Sequence, residues 1–242
     1  LFLAAAPKLA AAGMAFRLLP LGTGPMLELW QGILVVLAAL SLVIGNLAAL
    51  VQSNLKRMLA YSTISHVGFI LLGLLHGGDL GMSAVLFYVI VYAISTTAAF
   101  GIMLALSRAG VELEEIADFR GLNQRHPFYA FLMLLTMGTL AGFPPLIGFF
   151  AKLQVLQAAF AAGFIWLVIV AAVCAVIGAY YYLNLIKVMY FDAPQTELEV
   201  KTDAPLDVKV VVALNALAFI ALGLYWGPLA KFCASVWGIT QY

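Results

Sequence analysis

The sequence predicts an all-α, polytopic transmembrane bundle of about seven spans, one of them a helix broken by proline. Three observations carry this. Of 242 residues, 65% are hydrophobic and only 10% are charged, against about 25% charged in soluble domains. The mean hydropathy is +1.08, too high for a chain that must hide its surface in water. Finally, the apolar residues fall into runs near the roughly 20 residues that a helix needs to cross a bilayer core.

The expected spans cover residues 1–19, 27–51, 55–75, 82–106, 128–160, 164–189 and 208–226. Turn-like separators divide them: Pro20-Leu21-Gly22-Thr23-Gly24-Pro25, Gln52-Ser53-Asn54 and Gly77-Gly78-Asp79. Two longer polar loops, 107–127 and 191–207, complete the extramembrane mass, which leaves no room for a soluble enzyme domain. An apolar stretch at 229–237 is too short to cross. The run 128–160 is too long for one straight span, about 50 Å as a helix. Its middle reads Leu140-Ala141-Gly142-Phe143-Pro144-Pro145. Pro144 and Pro145 each lack a backbone donor and clash with the preceding turn, so the helix is expected to break there. Unwound backbone at membrane depth persists only where protein covers it or a cavity faces it.

The chain begins with Leu1 inside an apolar run, with no positively charged leader or cleavage site ahead of it. The expectation is one transmembrane domain over 1–242, a fragment whose N-terminal part is missing. Net charge is +1, which argues against nucleic acid. Cys174 and Cys233 form no CxxC pair and read as small packing residues. With seven alternating spans, one face collects Lys56, Arg57, Arg108, Arg120, Arg125, Lys187, Lys201 and Lys209, and the other only Arg17 and Lys231. The positive-inside rule puts the first face in the cytoplasm, so the chain starts cytoplasmic and ends on the opposite side.

All eleven acidic residues lie in loops or at span ends, but two lysines do not. Lys8 precedes Arg17 by nine residues, roughly 13 Å from the far interface, beyond the reach of about 6 Å by which a lysine snorkels. Lys152 lies roughly 16 Å from the far end of the fifth span, two turns past the expected break, and His66 roughly 15 Å into the third. These depths converge near the midplane. A charge there costs at least about 3 kcal/mol, so such residues face a protein interior or a hydrated cavity. Desolvation favours the neutral form of an amine, which suits a group that loads and releases a proton. The plainer readings are a hydrogen-bonded core histidine among Ser62, Thr63 and Ser65, and a simple proline kink.

In the fourth span, Tyr88, Tyr92 and Thr96 recur at i, i+4 and i+8 beside Ser95. That is one polar helix face, either interhelical glue or a surface that holds water for proton hopping. Tyr180-Tyr181-Tyr182 with Asn184 reads as an interfacial aromatic belt. Gly138 and Gly142 have the spacing of a close-packing pair. Glu112, Glu114, Glu115 and Asp118 read as a solvated acidic loop.

Two runs together resemble the signatures of the antiporter-like subunits of respiratory complex I. One is Gln52-Ser53-Asn54-Leu55-Lys56-Arg57-Met58-Leu59-Ala60-Tyr61-Ser62-Thr63-Ile64-Ser65-His66-Val67-Gly68; the other is Ala141-Gly142-Phe143-Pro144-Pro145-Leu146-Ile147-Gly148-Phe149-Phe150-Ala151-Lys152. The opening Ala6-Pro7-Lys8-Leu9-Ala10 resembles the helix carrying that family's connecting lysine. Within the family, the Gln-x-Asn-x-Lys-Arg form is nearer the N-type than the L and M types, and the long lateral helix of the L type is absent.

The resemblance implies roles. Lys8 would be the connecting lysine between two half-channels, Lys152 the terminal lysine on the broken helix near the exit path, and His66 with its neighbouring hydroxyls part of a hydrated axis. The family's earlier inverted half, with its glutamate–lysine pair, is not in this sequence. Seven spans are half the family's fourteen, so this piece alone is not expected to pump. The resemblance implies a non-redox, proton-translocating subunit of an NADH:quinone oxidoreductase in a bacterial inner membrane. NADH, FMN, iron–sulfur clusters and quinone would be handled by partner subunits. The sequence itself contains no GxGxxG and no P-loop. The implied partners are neighbouring antiporter-like and small membrane subunits and the lipid bilayer. The alternative is a subunit of a multisubunit cation/proton antiporter or a membrane-bound hydrogenase.

Overall fold

A computed structural model describes residues 2–22, 26–107, 113–194 and 205–236. Thr23, Gly24, Pro25, Arg108, Glu112, Lys201 and Trp237, on which some expectations rested, lie outside the described residues. The helices are α1 (Phe2–Phe16), α2 (Leu27–Leu50), α3 (Leu55–Leu74), α4 (Asp79–Leu106), α5 (Leu122–Arg125), α6 (Pro127–Ala141), α7 (Ile147–Ala161), α8 (Ile165–Phe191), α9 (Leu206–Leu224) and α10 (Trp226–Ser235). A π-helical segment, Arg17–Gly22, extends α1, and a 3-10 turn, Ile116–Phe119, precedes α5.

Among the described residues, five helices, α2, α3, α4, α8 and α9, are long and apolar enough to cross a membrane. The expected fifth span is two half-length helices of 15 residues each, α6 and α7. The stretch past 226 is the short helix α10, whose Trp226 stacks on Phe150 of α7 with centroids 5.0 Å apart.

α4 is the central post. It packs on α1, α3, α6, α7, α9 and α10, and Val85, Phe87, Tyr88, Tyr92 and Ile102 along it are buried. α2, α8 and α9 stand outside, with Leu29, Ile33, Val176 and Leu214 facing outward, a surface that lipid or protein must cover. α2 and α3 approach closely because two glycines let them. A Cβ on Gly68 would lie 2.8 Å from Leu42 Cγ, and one on Gly45 would run into the backbone of Ser65.

The acidic loop is an ordered clasp rather than a merely solvated one. Leu55 N–H donates to Glu114 O at 2.7 Å and Ile116 N–H to Ser53 O at 2.8 Å. The Asn54 amide donates to the carboxylates of Glu114 and Glu115, and its oxygen accepts from Arg57 N–H at 3.0 Å, capping α3. Asp118 accepts from the backbone N–H groups of Glu114 and Glu115. Lys56 pairs with Glu114 at 2.8 Å and Arg120 with Asp192 at 3.8 Å. The starts of α3 and α5 and the end of α8 therefore share one face of the bundle.

Candidate functional site

The break between α6 and α7 is built from glycine first and proline second. Gly142 ends α6 in the left-handed region, φ +87°, a conformation cheap only for glycine. Phe143 N–H then donates to Gly138 O at 3.0 Å, the 6→1 bond of a Schellman termination. Pro144 and Pro145 are exposed and stop the helix from resuming before Ile147. α9 packs closely against the backbone of the unwound turn, because Gly223 has no side chain to collide with Pro145 O.

Ending α6 leaves its last carbonyls without helical partners. Lys152, on the second turn of α7, answers one: its Nζ donates to Ala141 O at 2.7 Å and sits 5.3 Å from the centre of the Phe69 ring. The residue is only 9% exposed. An ammonium is also stabilised at a helix C-terminus, where the carbonyl ends of the peptide dipoles gather. The break and the lysine are thus one device.

Lys8 reaches from α1 into the α3–α4 interface. Its Nζ donates to Tyr92 Oη at 2.9 Å and to Thr63 Oγ1 at 3.4 Å, and lies 4.4 Å from the Tyr92 ring centre. Thr63 and Tyr92 share a hydrogen bond of 2.7 Å. The buried His66 lies one turn along α3, its ring centroid 4.7 Å from that of Tyr92. Its Nδ1 pairs with Tyr88 Oη at 2.7 Å and its Nε2 with Tyr182 Oη at 3.3 Å. His66, Tyr88, Tyr92, Ser95 and Lys152 all line one small cavity of about 10 Å³, near the size that admits a single water. Lys8, Tyr92, His66 and Lys152 therefore form a row across the middle of the bundle.

Other expected hydroxyls bond within their own helices, although Ser95 also lines the cavity. Ser62 Oγ donates to Leu59 O, Ser95 Oγ to Val91 O and Thr96 Oγ1 to Tyr92 O, so these hydroxyls satisfy helix carbonyls. Ser65 accepts instead from Asn46 Nδ2 at 2.7 Å.

Two readings are corrected. Tyr181 and Tyr182 are not belt residues. They are 4% and 1% exposed, Tyr182 meeting His66 and Tyr181 donating to Asn46 Oδ1 at 3.1 Å; only Tyr180 faces outward. A lone Asn inside an otherwise apolar span was the available signal for Asn46, and it was missed. Gly142 is not one half of a packing pair, since its job is the left-handed turn and the space beside Lys152. A Cβ there would lie 3.0 Å from Lys152 Cδ and 3.3 Å from Nζ.

A family model described as the transmembrane region of the NADH:quinone oxidoreductase/Mrp antiporter family matches residues 1–178. The chain belongs to this family. NADH-quinone oxidoreductase subunit N of Xanthomonas euvesicatoria pv. vesicatoria is 54% identical over 234 residues, 96% of this chain and 48% of the relative. The subunit of that name from Nitrosomonas europaea is 54% identical over 225 residues, 93% and 46% of the two chains. The chain thus spans about half the length of the curated relatives it matches. Among solved structures, a chain of respiratory complex I from Thermus thermophilus with bound NADH superposes with a TM-score of 0.77 at 28% identity, covering 94% of this chain and 49% of that one. A chain of the Mrp complex from Dietzia sp. gives 0.82 at 22% identity, covering 95% and 51%, a likeness of fold alone. These superpositions agree with the polytopic all-α architecture.

Proposed function

We propose that this chain is the C-terminal half of an N-type, antiporter-like subunit of a bacterial NADH:quinone oxidoreductase, a single transmembrane domain that relays protons across the midplane of the inner membrane. The supporting observation is the row itself, in which tyrosine hydroxyls and an imidazole lie between a half-buried amine on α1 and a buried amine on α7.

A proton enters on Lys8, whose amine has hydroxyl partners and, among the described residues, no carboxylate beside it. Hydroxyls and a neutral imidazole both donate and accept, so Tyr92, Thr63, His66 and Tyr88 carry hydrogen-bonded transfers without holding charge for long. No hydrogen bond joins Tyr92 to His66, whose rings meet at 4.7 Å, or His66 to Lys152; the cavity that Tyr92, His66 and Lys152 all line has room for a water to link them. Lys152 receives the proton as an ammonium held against Ala141 O.

In this reading the chain has no redox chemistry of its own. NADH, FMN, iron–sulfur clusters and quinone belong to partner subunits, and redox energy arrives through neighbouring membrane subunits packed on its apolar outer faces. Lys56, Arg57, Arg120, Arg125, Lys187 and Lys209 face the cytoplasm and α10 lies toward the periplasm. Relatives above 50% identity that carry the subunit N name favour this over the cation/proton antiporter, whose structural likeness is one of fold.

The test is Lys152→Met in the assembled complex, reconstituted in vesicles. The expected result is a clear fall in protons moved per NADH oxidised, with assembly retained. An unchanged ratio would refute the proposal.

A further inference from the structure

Asn46 is buried at membrane depth, yet no step of the relay uses it. It lies on α2, whose outer face is apolar, and is only 1% exposed. Its amide nitrogen donates to Leu42 O and to Ser65 Oγ, both at 2.7 Å, and its Oδ1 accepts from Tyr181 Oη at 3.1 Å. Gly178, one turn before Tyr181 on α8, leaves room for that last bond. A Cβ there would lie 3.1 Å from Asn46 Oδ1 and 3.5 Å from Tyr181 Oη. The amide thus ties α2 to α3 beside His66 and to α8 beside Tyr182, and Tyr182 is the partner of His66 Nε2.

These bonds have a direction. Leu42 O is a carbonyl and only accepts, so the nitrogen of Asn46 must face it and the oxygen must face Tyr181. Tyr181 therefore gives its proton to Asn46, and its oxygen is left to accept. The Tyr182 hydroxyl has those of Tyr181 and Ser62 as hydrogen-bond neighbours, and Ser62 gives its own proton to Leu59 O. Both neighbours are thus acceptors for the Tyr182 proton. Tyr182 then presents its oxygen to His66 Nε2 at 3.3 Å, and Nε2 carries the ring proton. On the other side, Nδ1 accepts from Tyr88 Oη at 2.7 Å. Among the described residues the Tyr88 hydroxyl has no other hydrogen-bond partner. The opposite tautomer would leave its proton buried and unpaired, which is costly.

We propose that Asn46 is a positioning residue: acting through Tyr181 and Tyr182, it fixes the direction of a hydrogen-bond chain that keeps the neutral His66 protonated on Nε2, so that the imidazole exchanges protons through Nδ1 alone. The inference rests on the proton-relay reading of the row. Nδ1 is the nitrogen turned to Tyr88 of α4, which lines the cavity with Tyr92 and Lys152. Nε2 instead leads into a branch that ends on an amide oxygen, which has no proton to pass on. In the relay His66 therefore gains a proton at Nδ1, becomes an imidazolium with both nitrogens protonated, and gives a proton back from Nδ1. The Nε2–H bond is never broken, so each transfer leaves the ring in the tautomer that receives the next proton. The second bond of the amide, to Ser65, holds α3 but does not set the direction, because Leu42 O alone already orients the amide.

The experiment is magic-angle-spinning NMR of the assembled complex in membranes, labelled with ¹⁵N-histidine, with His66 assigned by its loss in His66→Gln. The wild type should show a neutral His66 with Nε2 protonated and Nδ1 bare. In Asn46→Leu the Tyr181 proton turns to Tyr182 Oη and competes there with Nε2–H; in Tyr181→Phe the Tyr182 proton loses an acceptor. The Nδ1–H tautomer should appear as a second signal in both. Ser65→Ala removes the other bond of the same amide and should keep the wild-type tautomer. Proton translocation in vesicles should fall severalfold in Tyr181→Phe and stay near wild type in Ser65→Ala. A wild-type ring protonated on Nδ1, a tautomer unmoved in both Asn46→Leu and Tyr181→Phe, or an equal shift in Ser65→Ala each overturn the proposal. So does a shifted tautomer with unchanged translocation. The tautomer is read in the resting complex, so a failure of the relay reading, seen as intact pumping in Lys152→Met, is separately visible.

Discussion

Gly142→Ala distinguishes a glycine that couples the helix break to Lys152 from one that serves only close packing. Alanine must adopt φ +87° at this position, which costs an L-residue about 1–2 kcal/mol. Its Cβ would then stand 3.0 Å from Lys152 Cδ and 3.3 Å from Nζ, so the amine has to move and its bond to Ala141 O lengthens. Leaving that buried carbonyl unpaired adds about 1–3 kcal/mol, for a total of about 2–5 kcal/mol. Gly138→Ala is the control. Its φ is helical, its Cβ meets only the flexible end of Leu146 at 2.9 Å, and alanine gains about 1 kcal/mol in helix propensity, so the change is expected within about 1 kcal/mol of neutral. The assay is the temperature at which the buried free thiols of Cys174 and Cys233 become reactive to a maleimide dye in the purified complex. If Gly142→Ala is no more destabilising than Gly138→Ala, the glycine pair is a packing motif and the link between helix break and lysine is wrong.

Three further outcomes follow from the same geometry. Tyr92→Phe keeps the ring against His66 but loses the hydroxyl that bridges Lys8 and Thr63. A loss of about 1–1.4 kcal/mol should slow proton translocation roughly five- to tenfold, measured by pH-sensitive dye in vesicles, while thermal stability falls little. Asn46→Leu strands the buried partners Ser65 and Tyr181 and should destabilise by about 1–3 kcal/mol in the thiol-exposure assay. At the clasp, Lys56→Met removes a pair whose side chains are 39% and 44% exposed and should cost no more than about 1 kcal/mol, less in high salt. Asn54→Ala removes the cap on α3 and should cost about 1–2 kcal/mol regardless of salt.

Much of the architecture was legible in the sequence because hydrocarbon imposes a simple rule. Every backbone group must be satisfied within its own helix, so span lengths and the Pro144–Pro145 interruption read directly as architecture. Lys8, His66 and Lys152 stood out because titratable groups at that depth are expensive. Tyr181 and Tyr182 were misread because three tyrosines near a span end look alike in one dimension. Their separation is rotational: Tyr180 turns outward, while the next two turn toward α2 and α3. Gly142 was misread for a related reason, since spacing does not disclose a positive φ. The acidic loop concealed its order because its partners, Ser53, Asn54 and Leu55, lie about 60 residues earlier in the chain.

A relay through the row requires the Lys152 amine to change protonation during turnover. Magic-angle-spinning NMR of ¹⁵Nζ-lysine-labelled complex in membranes observes that change at the atom itself, with Lys152 assigned by comparison with Lys152→Met. Two exchanging signals are expected, ammonium and neutral amine, whose populations shift when a proton gradient is imposed. A single ammonium signal, unmoved by the gradient while the complex still pumps, would contradict the relay.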